Sequence, residues 1–144
     1  MAYSLMPDKM SLELDKKTPS IKRRISTIKK LSEMGWKIGL RFDPLIYGKN
    51  WKDYYRELHE EIYSSLNLNT VHSISYGPLR FPSAMYNKIF DLYPKEKLFT
   101  GPFEQNNKVI SYKKEVEEEM TDYCQSISLK HLPKSIIFKC NYEN

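Results

Sequence analysis

Apolar positions along the chain fall into two periods, two and about 3.6, and the period switches repeatedly. Ala2 to Leu5 predicts a very short strand, left by Met6, Pro7 and Asp8. Ile21, Ile25, Ile28 and Leu31 then recur on one helical face, with lysines and arginines on the other. Thr18 can cap this helix, Pro19 suits its first turn and Gly35 is placed to close it. Trp36 to Phe42 predicts the next strand, in which Ile38, Leu40 and Phe42 alternate with Gly39 and Arg41 before Asp43 and Pro44. Trp51 to Leu66 carries a helical stripe of Tyr54, Leu58, Ile62 and Leu66, and the β-branched run Thr70 to Tyr76 predicts a strand. Pro82 can open a helix through Ala84, Met85, Ile89 and Leu92 that Pro94 stops. Lys97 to Thr100 and Lys108 to Tyr112 flank a polar connection containing "EQNN", which predicts a hairpin or flap. A helix from Glu115 to about Ile127 and a strand from Ser135 to Cys140 complete the pattern.

Strand and helix alternate throughout, which predicts βαβ units and a mainly parallel sheet in one domain over residues 1–144. About four βα units are visible, with the β-hairpin flap inserted at about 97–112. A parallel sheet needs cover, yet the first strand begins at residue 2 with no helix before it to protect that edge. The expectation is a segment that starts within a larger architecture.

Composition narrows the function less than the pattern narrows the fold. The hydrophobic fraction is 40% and mean hydropathy is -0.62, so the core is modest, and the 11 tyrosines read as half-buried groove liners or rim residues. No apolar run approaches the roughly 18 residues a spanning helix needs, and the N-terminus lacks a secretory pattern. Cys124 and Cys140 are too far apart for a close ligand motif; they read as free thiols of a cytoplasmic protein, with a disulfide as the other reading. His59, His72 and His131 are scattered and predict no zinc site. Lysine plus arginine exceed the acids, 23 to 18, for a net charge of +5, which permits a polyanionic partner and is also ordinary for a soluble domain.

In parallel α/β folds ligands sit beyond the carboxyl ends of the strands. Four polar clusters are expected there: Ser4 with Asp8, Arg41 with Asp43, Ser75 with Arg80, and Asn141 with Glu143. Arg41 and Asp43, two apart, share one face of an extended strand. The arginine can hold a carboxylate or phosphate through two bonds while Asp43 orients it, or the two can form a salt bridge from strand to loop. Gly77 and Pro78 predict a sharp turn, after which Arg80 either reaches a phosphate or braces that turn. Tyr76 either stacks on a base or packs. Lys108, Ser111, Tyr112, Lys113 and Lys114 suit a nucleic-acid backbone and its bases, and equally an ordinary edge hairpin. The basic run "KRRISTIKK" reads as a solvated face or a phosphate contact, and "KKEVEEEM" as a helix start where negative charge is favoured. No nucleophile–base–orienter set, phosphate-cradling glycine loop or metal motif is present.

The segments "TPSIKRRISTIKKLSEMGWKIGLRFDPLIY", "YYRELHEEIYSSL" and "HSISYGPLRFPSAM", in this order and spacing, resemble the C-terminal half of spore photoproduct lyase and its relatives. The resemblance runs from about Tyr3 to Cys140 and rests on Arg41 to Pro44, Trp51, Tyr55 to Leu58, and Ile74 to Phe81. It implies an α/β fold, the C-terminal part of a partial (β/α) barrel. It also implies a radical S-adenosylmethionine (AdoMet) enzyme that repairs a thymine photodimer in DNA. In the family a [4Fe-4S] cluster, held by a Cys-x3-Cys-x2-Cys motif in the N-terminal half, cleaves AdoMet to a 5′-deoxyadenosyl radical.

That motif is absent from this sequence, so the chain alone is expected to hold neither cluster nor cofactor, and neither Cys124 nor Cys140 takes the family's hydrogen-donor role. By similarity Ser4, Arg41 and Asp43 are the cofactor-side residues. Tyr76, Arg80, Lys108, Ser111 and Tyr112 are the candidates for DNA. The family hairpin carries an arginine and a tyrosine where this chain has Ile110 and Ser111, while Tyr112 keeps an aromatic. Three readings follow. The chain is the C-terminal half of a lyase-like enzyme, inactive without a separate N-terminal-half polypeptide; or it is a stand-alone nucleic-acid-binding module; or it is a non-functional truncated remnant, prone to aggregate.

Overall fold

The computed structural model describes residues 2–7, 20–92, 101–106 and 108–139. Thr18, Pro19, Asp8, Pro94, Lys97 to Thr100, Asn107, Cys140, Asn141 and Glu143, all used above, lie outside them.

In chain order the elements are β1 (Ala2–Ser4), α1 (Ile21–Glu33), β2 (Ile38–Leu45), α2 (Trp51–Ser65), β3 (Val71–Pro78), β4 (Arg80–Pro82), α3 (Ser83–Leu92), β5 (Phe103–Asn106), β6 (Val109–Tyr112), α4 (Lys114–Ser128) and β7 (Ile137–Lys139). β1, β2, β3 and β7 form a four-stranded parallel sheet in that order. β4, β6 and β5 form a small antiparallel sheet with β6 in the middle. The fold is therefore mixed α/β, with the four parallel strands the alternation predicts.

Strand order rises with chain order across the parallel sheet, and this fixes where the helices go. Crossovers between parallel strands are right-handed, so successive steps in one direction put every connecting helix on the same face. α1 packs on β2 and α2, α2 on α4, and α4 on β3 and β7. Under them Leu40, Phe42, Ile74 and Tyr76 are at most 1% exposed. Residues of alternate parity point the other way. There Ser4, Arg41 and Phe138 are exposed and Ser75 is half-buried. The sheet is thus greasy beneath and polar above.

Local chemistry sets the element ends, and several differ from expectation. Ser20 caps α1, its hydroxyl accepting from Arg23 N at 3.3 Å. Gly35 closes it with φ +85, where a side chain is strained. β2 starts two residues later than expected, leaving Trp36 outside and 52% exposed, and runs on through Asp43 and Pro44. On α2 the buried residue of the first turns is Tyr55, not Tyr54, because Trp51, Tyr55, Leu58, His59 and Ile62 form the inward stripe. Gly77 and Pro78 continue β3 rather than turning; the break falls at Leu79. Pro82 ends β4, and α3 begins at Ser83. Most of "EQNN" is strand: Glu104, Gln105 and Asn106 pair with Ser111, Ile110 and Val109. Within the hairpin β6 is the central strand of the small sheet, flanked by β4 and β5, and β5 is an edge strand.

Four of the tyrosines are core residues. Tyr55, Tyr63, Tyr76 and Tyr112 are at most 5% exposed. A buried phenol needs a hydrogen-bond partner, and each has one. Tyr55 Oη accepts from Ile46 N at 2.9 Å, Tyr112 Oη accepts from Tyr47 N at 3.0 Å, and the Tyr63 and Tyr76 hydroxyls both meet Ser128 Oγ.

Candidate functional site

The polar face is built by register. Ser4 pairs with Arg41, Arg41 with Ser75, and Ser75 with Phe138, so these four residues form one row across the sheet. Asp43 stands two residues further along β2, toward the carboxyl end and near enough to Arg41 to feel its charge, where the register with β3 shifts. Three of the four predicted clusters thus contribute a residue to one surface. It lies opposite the helices, at the end of the sheet where α/β folds place ligands.

The backbone that carries Arg41 and Asp43 is clamped from below. Tyr55 Oη receives Ile46 N and reaches Pro44 O at 3.4 Å, while Tyr112 Oη receives Tyr47 N. The exit of β2 is therefore held by α2 on one side and by the hairpin on the other. A surface meant to hold a ligand needs this kind of rigid support.

The Arg41 side chain is exposed and forms no hydrogen bond or ion pair with a described residue, while its carbonyl accepts from Leu5 N at 2.7 Å. Asp43 is half-buried. Burial pushes the Asp43 carboxyl above its ordinary value, and the nearby Arg41 charge pulls it partly back. The two feel one another without closing into a salt bridge, which leaves both able to meet a ligand. On the other edge, Arg24 Nη1 donates to Ser4 O at 2.9 Å and fixes the end of β1 to α1.

The residues predicted for DNA separate. Lys108 is exposed at the hairpin turn. Ser111 and Tyr112 are 6% and 1% exposed and face the core, where Tyr112 stacks on Phe103 with centroids 4.5 Å apart. Ile110 is buried as well. Tyr76 is 0% exposed on the helix-covered face, so it packs, because its parity along β3 is that of Ile74 and not of Ser75. Arg80 is held by Glu117 at 3.0 Å, which joins β4 to the first turn of α4. Burial raises the Glu117 carboxyl, with Arg80 pulling it back.

Two participants escaped the sequence reading. Glu117 looked like one more acid at a helix start. His59 looked like a scattered histidine, yet it is 0% exposed and stacks on Phe42 with centroids 4.1 Å apart and planes at 6°. Its Nδ1 lies 2.6 Å from Tyr55 O, a carbonyl that can only accept, so Nδ1 carries the proton. Nε2 is then the unprotonated nitrogen, 3.2 Å from Tyr76 Oη, whose one proton is shared between it and Cys124 O at 3.1 Å. Burial pushes the imidazole down to about 4. The legible signal was its position four residues after Tyr55, on the inward stripe.

These features define an α/β domain with described helices over one face of a parallel sheet and polar residues at the strand ends of the other. The spore photoproduct lyase family matches residues 1–138, and the chain belongs to that family. No curated protein matches it. Among solved structures, a mutant of spore photoproduct lyase with bound AdoMet and dinucleoside spore photoproduct is similar at a TM-score of 0.75 and 17% identity, covering 99% of this chain and 44% of that one. Another mutant of the lyase gives a TM-score of 0.75 at 18% identity, covering 96% and 43%. The lyase complexed with dinucleoside spore photoproduct gives 0.71 at 18%, again covering 96% and 43%. The chain thus spans less than half the length of these relatives, and at such identity they speak for the fold alone. No described helix is long and apolar enough to cross a membrane.

Proposed function

We propose that this chain is the C-terminal wall of a spore photoproduct lyase-type enzyme, closing a partial (β/α) barrel over AdoMet and a thymine photodimer in cytoplasmic DNA. The observation that supports it is the row Ser4, Arg41 and Ser75 with Asp43 beside it, on the sheet face opposite the described covering helices. A parallel sheet with helices on one face and polar strand-end residues on the other suits one wall of a partial barrel whose ligands sit at the carboxyl ends of the strands. Ser4, Arg41 and Asp43 suit AdoMet chemically: the guanidinium matches its carboxylate, and the aspartate matches its cationic groups. When bound, AdoMet supplies the radical precursor; this chain's part is to seat and orient it. Lys108, exposed at the hairpin turn, suits a contact with the phosphate backbone.

The chain's own residues do not suit an iron–sulfur cluster. Such clusters take closely spaced cysteine thiolates. The sequence has two cysteines, and the Cys124 thiol, 0% exposed under the helices, is pushed up to about 12 by burial. No group of three or more His, Cys, Asp or Glu gathers among the described residues. The cluster is therefore assigned to an N-terminal half of the enzyme that carries a Cys-x3-Cys-x2-Cys motif; that this half is a companion polypeptide is part of the proposal.

Reconstitution tests this reading. The chain mixed with that half is expected to repair dinucleoside spore photoproduct, and the Arg41→Ala mixture to lose repair. A mixture that repairs equally well with Arg41→Ala removes the polar face from the mechanism.

A further inference from the structure

The three helices that cover the sheet carry very different charge. α1 has five cations, Lys22, Arg23, Arg24, Lys29 and Lys30, against the single acid Glu33. α2 has two cations and four acids, and α4 has one cation and five acids. Neighbouring helices of one layer are thus sorted by sign, and no described acid forms an ion pair with the basic one. The ion pairs between described residues join Lys52 to Glu119, Arg56 to Asp53, Arg80 to Glu117, Lys114 to Glu118 and Lys139 to Asp122; no cation of α1 takes part. Lys22, Arg23, Lys29 and Lys30 are all exposed.

The placement also runs against the helix's own field. The start of a helix favours acids and disfavours cations. α1 has no acid in its first turn and three cations there. Arg24 is tied to Ser4 O, so this turn stands at the carboxyl end of β1, the same end as the ligand face. From Lys22 and Arg23 to Lys29 and Lys30 the helix advances about 10 Å, the rise of about three nucleotides along one strand. A single phosphate spans far less; an extended polyanion matches.

We propose that the outer face of α1 is a docking surface for the phosphate backbone of duplex DNA flanking the base at the polar face. This rests on the DNA-repair reading above and adds to it the surface that grips the duplex arm. The contact is independent of sequence, and it is read by salt.

The test is equilibrium binding of the full chain to an undamaged fluorescent 20-base-pair duplex across a salt series. Two triple variants are compared: Lys22→Gln, Arg23→Gln and Lys29→Gln on α1, and Lys88→Gln, Lys130→Gln and Lys134→Gln on other exposed surfaces. Both lose the same net charge. The α1 variant is expected to bind about tenfold more weakly at ~0.1 M salt, with the log–log salt slope reduced by about 2 to 3; the other is expected to stay within about twofold of the parent. Equal weakening in both variants, or in neither, overturns the α1 surface and leaves the DNA reading standing. Absence of salt-dependent duplex binding by the parent, alone and with its companion half, overturns both. Retained duplex binding with lost binding to anionic phospholipid vesicles in the α1 variant reassigns the surface to a membrane and also overturns it. Unchanged thermal melts confirm that all variants fold.

Discussion

Arg80 donates to Glu117 across 3.0 Å, and this bond joins the strand that leaves the parallel sheet to the helix that returns to it. Both side chains are mostly enclosed, at 28% and 15% exposure, and Glu117 Oε1 is buried with no hydrogen-bond partner among the described residues. We predict that Arg80→Met costs about 1–3 kcal/mol in urea unfolding, between the values for exposed and buried pairs, because it strands a half-buried carboxylate. Adding Glu117→Gln should recover part of the loss. Loss of DNA binding in Arg80→Met with no change in stability would assign Arg80 to phosphate instead of bracing.

Acid should weaken the fold mainly through His59. Its folded value near 4 lies below the ordinary 6.5. The unfolded chain therefore takes up a proton first, and the stability His59 confers is complete above pH 6.5 and lost progressively down to about pH 4. The loss reaches about 3 kcal/mol. Asp43 and Glu117 act oppositely, since burial raises both. Their ionised forms cost stability at neutral pH, a cost relieved as pH falls through their folded values and fully gone below the ordinary carboxylate range near 4. His59 is fully buried and the carboxyls are not, so the net expectation is destabilisation. Urea midpoints from pH 7 to 4.5 should fall less steeply in His59→Gln than in the parent; identical pH slopes would remove His59 from this role.

Tyr76 and Tyr112 should differ in what their hydroxyls are worth. Tyr76 Oη meets Ser128 Oγ, Cys124 O at 3.1 Å and His59 Nε2 at 3.2 Å. Removing it orphans groups that are buried with it. Tyr76→Phe is expected to cost about 2–3 kcal/mol and Tyr112→Phe, which loses one bond from Tyr47 N, about 1 kcal/mol. Equal thermal shifts in the two variants would show that the network contributes no more than a single bond.

Arg41→Ala should leave the melting curve nearly unchanged, within about 0.5 kcal/mol, because the side chain is exposed and bridges nothing described. Without that charge the Asp43 carboxyl should titrate higher still, which carbon-13 chemical shifts can follow. In the reconstituted enzyme the same variant should weaken AdoMet binding. A large stability loss would make Arg41 a structural residue.

Much of the fold was legible because hydrophobic period follows directly from backbone geometry. The four parallel strands and three covering helices came from it. What was missed depended on contacts between distant segments. Whether Gly77 and Pro78 turn or extend is settled by Leu45 pairing with Pro78, not by the dipeptide itself. Glu104 to Asn106 read as loop on composition, and the ladder with β6 overrode that. Tyr76 looked equal to its neighbours as a base-stacking candidate until strand parity placed it beneath the sheet. His59 gained its role only from the Phe42 ring it lies against and the Tyr76 hydroxyl it meets.

Reductive cleavage of AdoMet to 5′-deoxyadenosine, measured with this chain alone, with the cluster-bearing half alone and with the two mixed, bears most directly on the division of labour. Cleavage that is coupled to photodimer repair only in the mixture is the predicted result. Repair turnover by this chain without a companion, or a mixture no more active in repair than the cluster-bearing half by itself, would contradict it.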